Sequence, residues 1–401
     1  MNKFDQFTRG GIADMRDFEP AKMKRVPFTG IRRVLEKANK LEAEGRKIVH
    51  FEVGQPDFDT PANIKEAAKQ ALDQGVTAYS SNYGDIRLRR AIAEKLERMN
   101  NLTVDPAKEI MVTCGGEEAV AAALFALLEK GDEVLIADPS YIPYSSLTKI
   151  AEAEPVYVPL DEKNGYCFDL EKLEAAITEK TKLLVLCTPG NPTGTMMDEE
   201  SLRKLAEICC RRDILVLADE AYEQVLYDGN KHISIASLPG MWERTITVQS
   251  FSKTYSMCGW RIGYLVAPAE LIRIVVRAHQ TVAMNACSFG QLGALEALTG
   301  PQDSLHAMLA EFDRRRLVLY NGLRELGIPC SRPQAAFYLF PDISEFGMDS
   351  FAFAELLLDK YGVAAVPGVE FGQNGENHLR ISYATSFEDC QEGLRRIAQC
   401  V

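Results

Sequence analysis

Short β-rich runs that alternate with amphipathic segments from about Glu109 onward predict an α/β fold on a mainly parallel sheet. Two further observations point the same way. The runs are near-continuously apolar, as strands covered on both faces must be, and the segments between them carry helix start and stop signals. At 401 residues the chain suits two domains, or one large domain with an elaboration. Hydrophobic residues at 46% and charged residues at 25% are ordinary for a packed globular protein.

In chain order, "TPANIKEAAKQALDQG" and "DIRLRRAIAEKLERMN" read as helices separated by the turn-rich "VTAYSSNYG". The strand candidates follow: "EIMVT", "DEVLIAD", "KLLVLCT", "DILVLAD", "RTITVQS" and "RIGYLVA". Between them, "GEEAVAAALFALLEKG" closes on a Lys-Gly stop, and "MDEESLRKLAEICCRRD" opens with acids and ends with bases, as the helix dipole prefers. Downstream, "SLHAMLAEFDRRRLVLYNGLRELG" predicts one long helix. Strand-like "AAFYLFPDI", helical "SFAFAELLLDKYG", strand-like "VAAVPG" and "HLRISYA" and a last helix then predict a smaller α+β unit. No repeat or Ser/Gly-rich linker separates the parts.

The formal charge of −12 sets up an average field that repels nucleic acid and anionic lipid. The first residues lack the apolar centre of a signal peptide, and the longest apolar run, "AVAAALFALL" from Ala119, is too short to span a bilayer, so a cytoplasmic protein is expected. The ten cysteines show no CxxC pairs and read as free thiols used for packing. HExxH, GxSxG, GxGxxG and GxxxxGK[ST] are all missing, and no metal site is expected.

The chemistry sits at strand ends, where open α/β sheets gather their ligands. "PGNPTG" follows one apolar run and brings Asn191, although Asn, Pro and Gly also build turns for local reasons. "ILVLADEAY" ends a second in Asp219, with Tyr222 three residues on. "SFSKTYSMCGWRIGY" follows a third and sets Lys253 between hydroxyl residues, with Arg261 eight positions later. Each piece is weak alone, and their order and spacing together are specific.

In these pieces, and in "VGQPDFDTP", "YSSNYGDIRLRRAIA" and "HLRISYA", the chain resembles the class I/II aminotransferases of pyridoxal-phosphate fold type I. The resemblance covers nearly the whole chain. It implies pyridoxal 5'-phosphate as cofactor, with Lys253 supplying the amine that condenses with the cofactor aldehyde and moves the substrate proton. Asp219 would partner the pyridine nitrogen, and Tyr222 and Asn191 the phenolic oxygen. Arg261, Ser250 and Ser252, with the main-chain N–H groups of Gly116 and Glu117, would hold the phosphate. An acid at Glu117 departs from the small hydroxyl or amide residues of many members. Tyr141 would stack on the ring, and Tyr79 would reach the phosphate of the neighbouring subunit in a homodimer. Arg380 would fork onto the substrate α-carboxylate beside Gly54, with Asn191 also near the substrate.

The resemblance further implies a large domain at 48–309 with a mostly parallel seven-stranded sheet, and a small α+β domain from 1–47 and 310–401. Asp138-Pro139 and Asn191-Pro192 are expected in cis. The reaction would be ping-pong transamination, with an L-amino acid donor among aspartate, aromatic amino acids and alanine, and 2-oxoglutarate as acceptor. The same scaffold also runs carbon-sulfur β-elimination, the alternative to weigh, while a non-catalytic aminotransferase-like regulator would need a DNA-binding segment that the sequence does not show. No second arginine is assigned to a distal carboxylate, and Arg32 is a candidate near the entrance.

Overall fold

The computed structural model describes residues 18–28 and 30–400, so residues 1–17, 29 and 401 of the expected small domain lie outside the described residues. In chain order the strands are β1 (Val49–His50), β2 (Ile110–Thr113), β3 (Glu133–Asp138), β4 (Glu154–Asp161), β5 (Cys167–Phe168), β6 (Thr181–Cys187) and β7 (Leu215–Asp219). After them come β8 (Thr245–Ser250), β9 (Gly263–Val266), β10 (Tyr338–Leu339), β11 (Val363–Ala364), β12 (Val366–Pro367) and β13 (Leu379–Ser382).

One sheet takes the order β2-β9-β8-β7-β6-β3-β4-β5. Parallel pairing runs from β8 through β7, β6 and β3 to β4, while β9 lies antiparallel between β2 and β8, and β5 is an antiparallel edge. The α/β class is as expected. The strand number is not: the sheet has eight strands because two-residue β5 adds itself beyond β4. Six of the eight were readable as apolar runs. β4 was not, because "EPVYVPLD" carries Pro155 and Pro159, which remove ladder donors and are tolerated only near an edge.

The central strands β6, β7 and β8 are almost wholly buried, as the apolar runs of β6 and β7 require, with Ile246 and Val248 supplying the apolar positions of β8. Because they run parallel, their carboxyl ends fall on one side of the sheet and carry Cys187, Asp219 and Ser250 to one place. Strand order reverses between β6 and β3, the crevice position at which open sheets bind ligands.

The C-terminal part is built as expected, in shorter pieces. β10, β13 and β12 form an antiparallel sheet, and β1 pairs parallel with β11, so residues from before the large sheet are tied into the C-terminal unit. Of "AAFYLFPDI" only Tyr338–Leu339 is strand, since buried Ala336 takes a left-handed φ of 56° just ahead of it. The helix Gly30–Ala43 packs on β11 and β12. The helix Asp303–Glu325 is continuous, and its Phe312 ring meets Phe58 at 5.4 Å and Phe337 at 5.3 Å, joining the two parts in one apolar cluster.

Close approach at one glycine sets the geometry of the sheet's ligand side. A Cβ on Gly263, at the start of β9, would lie 2.7 Å from both the Gly115 carbonyl carbon and the Gly116 nitrogen. Both are backbone atoms with no freedom to yield. Gly263→Ala is expected to destabilise the fold by about 1–3 kcal/mol in denaturant unfolding, and an unchanged midpoint would show that the β2–β9 junction is not tightly packed.

Candidate active site

Lys253 sits on the short helix Phe251–Thr254 directly after β8, capped by Ser250, whose hydroxyl accepts from the Ser252 N–H at 3.2 Å. The lysine lines a cleft of about 300 Å³ at the carboxyl ends of β6, β7 and β8. Every expected site residue lines this cleft except Tyr79, which lies outside it and is 81% exposed. Arg32 is also elsewhere: it is exposed and pairs with Glu36 at 3.0 Å, while its neighbour Ile31 faces the cleft.

The Lys253 Nζ donates to the Gly54 carbonyl at 2.7 Å, and a Cβ on Gly54 would collide with the Tyr338 hydroxyl. Across from it, the Asp219 carboxylate accepts from the Tyr144 hydroxyl at 2.7 Å and the Ala221 N–H at 3.1 Å. Burial pushes the Asp219 pKa up, against the pull of the Tyr144 hydrogen bond. Its charge therefore calls for a cation facing it. The Tyr222 and Tyr338 hydroxyls pair at 2.7 Å, and the Tyr141 ring stands edge-on to Tyr144 at 5.5 Å.

Arg380, on β13, is buried with its guanidinium 4.7 Å over the Tyr338 ring. Its Nη2 donates to the Glu52 carbonyl at 2.5 Å and its Nη1 to Asn191 Oδ1 at 3.3 Å, but its Nε has no hydrogen-bond partner. A buried guanidinium that faces no carboxylate is set to receive one. Arg261, by contrast, is exposed, holds a left-handed φ of 56° and lies so close to Gly115 that a Cβ there would collide with it. Gly115 and Gly116 open the helix Gly116–Leu127, so free main-chain N–H groups, Ser250 and this guanidinium surround one side-chain-free cup.

Sequence reasoning missed Tyr144, Tyr338 and Cys187, all in the cleft lining. Tyr144 lies three residues after Tyr141, in the first turn of the helix Pro143–Ile150, and no sequence motif marked it. Tyr338 sat unmarked inside a strand-like run. The peptides Asp138-Pro139 and Asn191-Pro192 are cis as expected, and Thr188-Pro189 is cis as well.

Behind Asp219, Glu220 accepts from Ser234 at 2.7 Å and Gln249 at 3.1 Å and faces His232 at 3.1 Å. Glu223 is held by Lys95 and by Asn100 at 2.7 Å. Glu220, Glu223 and His232 could converge on a metal ion, but the Lys95 ammonium already pairs with Glu223 in that cluster. Beneath Arg380, His50 Nδ1 meets Glu52 Oε1 at 2.7 Å and its Nε2 meets Glu42 at 3.2 Å.

The profile of the family described as aminotransferase class I and II matches residues 46–397. The chain is 44% identical over 358 residues to an aspartate aminotransferase of Pyrococcus abyssi, covering 88% of this chain and 92% of the relative. It is 40% identical to aromatic-amino-acid aminotransferase 2 of Thermococcus litoralis, covering 92% and 94% of the two chains. Among solved structures, Thermus thermophilus aspartate aminotransferase with maleate superposes with a TM-score of 0.91 at 37% identity, over 96% of this chain and 100% of that one.

The Glu52 hydrogen bond lifts the His50 pKa from 6.5 to about 9. A raised histidine pKa contributes stability that is fully present below pH 6.5, where the ring is charged in both the folded and unfolded states, and that stability is lost as pH rises through about 9. Denaturation midpoints measured from pH 6 to pH 9.5 are expected to fall through that window, and to fall less in His50→Gln. An equal slope in both proteins would remove His50 as the cause.

Proposed function

The chain belongs to the class I and II aminotransferases, and from that premise we propose how its own residues carry out amino-group transfer with pyridoxal phosphate. When bound, the cofactor supplies an aldehyde carbon that takes up the amine and a ring that withdraws charge from the substrate α-carbon. The observation that carries the reading is the convergence of Lys253, Asp219 and Arg380 on one cleft beside the Gly115-Gly116 cup.

Arg261, Ser250, Ser252 and the N–H groups of Gly116 and Glu117 hold the phosphate, a doubly charged anion suited to a guanidinium and a helix start. Asp219 keeps a proton on the pyridine nitrogen, since a buried carboxylate favours a cation over remaining alone. Tyr222 and Asn191 hydrogen-bond the phenolic oxygen, and Tyr141 covers one ring face. Arg380 binds the α-carboxylate as a fork, and Gly54 leaves room beside it. With the amino acid so oriented, the Lys253 Nζ would take the proton from the substrate α-carbon and, as its conjugate acid, give it up across the transferred nitrogen, at the aldehyde carbon that the cofactor would supply. The donor is an L-amino acid, with aspartate, aromatic amino acids and alanine to compare. The acceptor is a 2-oxo acid, with 2-oxoglutarate and pyruvate to compare.

The same reading makes the protein a cytoplasmic homodimer in which Tyr79 of each subunit reaches the phosphate held by the other. Exposed Tyr79, Val282 and Met284 support it, and the segments that carry them are joined by Asn82–Gln280 and Ser288–Ala78 hydrogen bonds at 2.8 and 2.6 Å. Segments 1–47 and 310–401 act as the small domain that closes on substrate, since Ile31, Tyr338 and Arg380 all line the cleft. Fractionation of the source cells tests the location.

Incubated with pyridoxal phosphate and treated with borohydride, the protein is expected to carry a pyridoxyl group on the Lys253 peptide, and Lys253→Ala to lose turnover by at least about a thousandfold. Residual turnover close to wild type in that variant would overturn the assignment. In sedimentation, a species of twice the monomer mass is expected, and Tyr79→Phe should weaken cofactor retention several-fold. A monomer with full activity would exclude a shared site.

A further inference from the structure

The five charged side chains lining the cleft are Lys253, Arg261, Arg380, Asp219 and Glu117. The reading above gives the first four a partner. Glu117 is left over. It stands in the first turn of the helix Gly116–Leu127, is exposed at the cleft, and has no hydrogen bond or ion pair among the described residues. Its neighbour Glu118 is occupied, accepting from the Cys114 N–H at 3.0 Å and facing His279 at 3.0 Å.

An acid in a first helical turn is ordinarily favoured by the helix dipole. Here the same helix end is the cup for a phosphate, and a second anion beside it is repelled, which disfavours a purely local reason for the side chain. The carboxylate lies on the Tyr141 side, where its charge adds to the burial that raises the tyrosine pKa. Among the described residues the cations that line the cleft are Lys253, Arg261 and Arg380, each already given a partner, while Arg32 is turned to Glu36 and Ile31 lines the cleft instead. A substrate held by its α-carboxylate at Arg380 and by its amine near Lys253 must project its side chain into the remaining part of this lining.

We propose that Glu117 is a specificity-determining residue that selects amino acids and 2-oxo acids with uncharged side chains and penalises those with a distal carboxylate. The proposal rests on the aminotransferase reading and narrows it. Aromatic amino acids, alanine and pyruvate are the favoured substrate class, and aspartate and 2-oxoglutarate meet a like charge with no further cation among the described cleft residues to offset it.

The test uses the full-length holoenzyme, with kcat/KM for aspartate and phenylalanine as donors and for 2-oxoglutarate and pyruvate as acceptors, in wild type, Glu117→Gln and Glu117→Lys. The aspartate-to-phenylalanine ratio is expected to rise about threefold or more in Glu117→Gln and about tenfold or more in Glu117→Lys, chiefly through KM, with 2-oxoglutarate gaining on pyruvate likewise. Ratios that stay at the wild-type value in both variants overturn the proposal, as does a wild-type enzyme that already prefers dicarboxylates. Loss of cofactor absorbance in Glu117→Gln would instead assign the side chain to the phosphate and also overturn it. A wild-type holoenzyme that transaminates none of these donors removes the underlying reading of the reaction, an outcome distinct from a working enzyme with unmoved ratios.

Discussion

A carboxylate at the end of a buried strand is the constraint around which the site is arranged. Asp219 closes β7, where burial raises its pKa and the Tyr144 hydroxyl, the Ala221 N–H and the Lys253 charge partly offset the lost water. Such a group stays ionised in the company of a cation. The parallel register of β6, β7 and β8 then fixes what can stand near it, because neighbouring strands end at the same level and hand over to Asn191 on one side and Lys253 on the other. Behind the strand end, Glu220 and Glu223 are saturated by Ser234, Gln249, Lys95 and Asn100, so the segment that follows Asp219 is anchored to the helix Ile86–Asn100.

The two arginines of the cleft stand in different settings, each suited to a different kind of anion. Arg261 is exposed at the surface of a glycine cup and adds charge to main-chain donors. Arg380 is buried over Tyr338 and Phe371, with two of its nitrogens already committed to Glu52 and Asn191. The first arrangement suits a dianion that keeps part of its hydration. The second suits a small planar carboxylate taken out of water, where a fixed fork is worth most.

The fold class and most of the site were legible in the sequence because they depend on local patterns. Unbroken apolar runs marked β2, β3, β6, β7, β8 and β9, and polar residues just past three of them marked Asn191, Asp219 and Lys253. What was not legible depends on tertiary context. β4 is a strand despite two prolines because it lies next to the sheet edge, and β5 is too short to have a period. Tyr338 looked like any strand aromatic, and only the approach of Gly54 and Tyr222 gives its hydroxyl a place in the cleft. The sequence could not say which way Arg32 points: adjacent residues on a helix lie about 100° apart, which sends Ile31 inward and Arg32 to solvent.

The helix Asp303–Glu325 runs unbroken through the point where a division between large and small parts would be drawn, and Phe312 on it touches both Phe58 and Phe337. A stiff rod shared by two bodies cannot act as a slack tether. Any swing of the C-terminal unit must flex or roll that rod, so displacement at the far end is delivered directly to the loop carrying Gly54. In mechanical terms the helix is a lever and not a string: a shift of the C-terminal unit would reach that loop through Phe312.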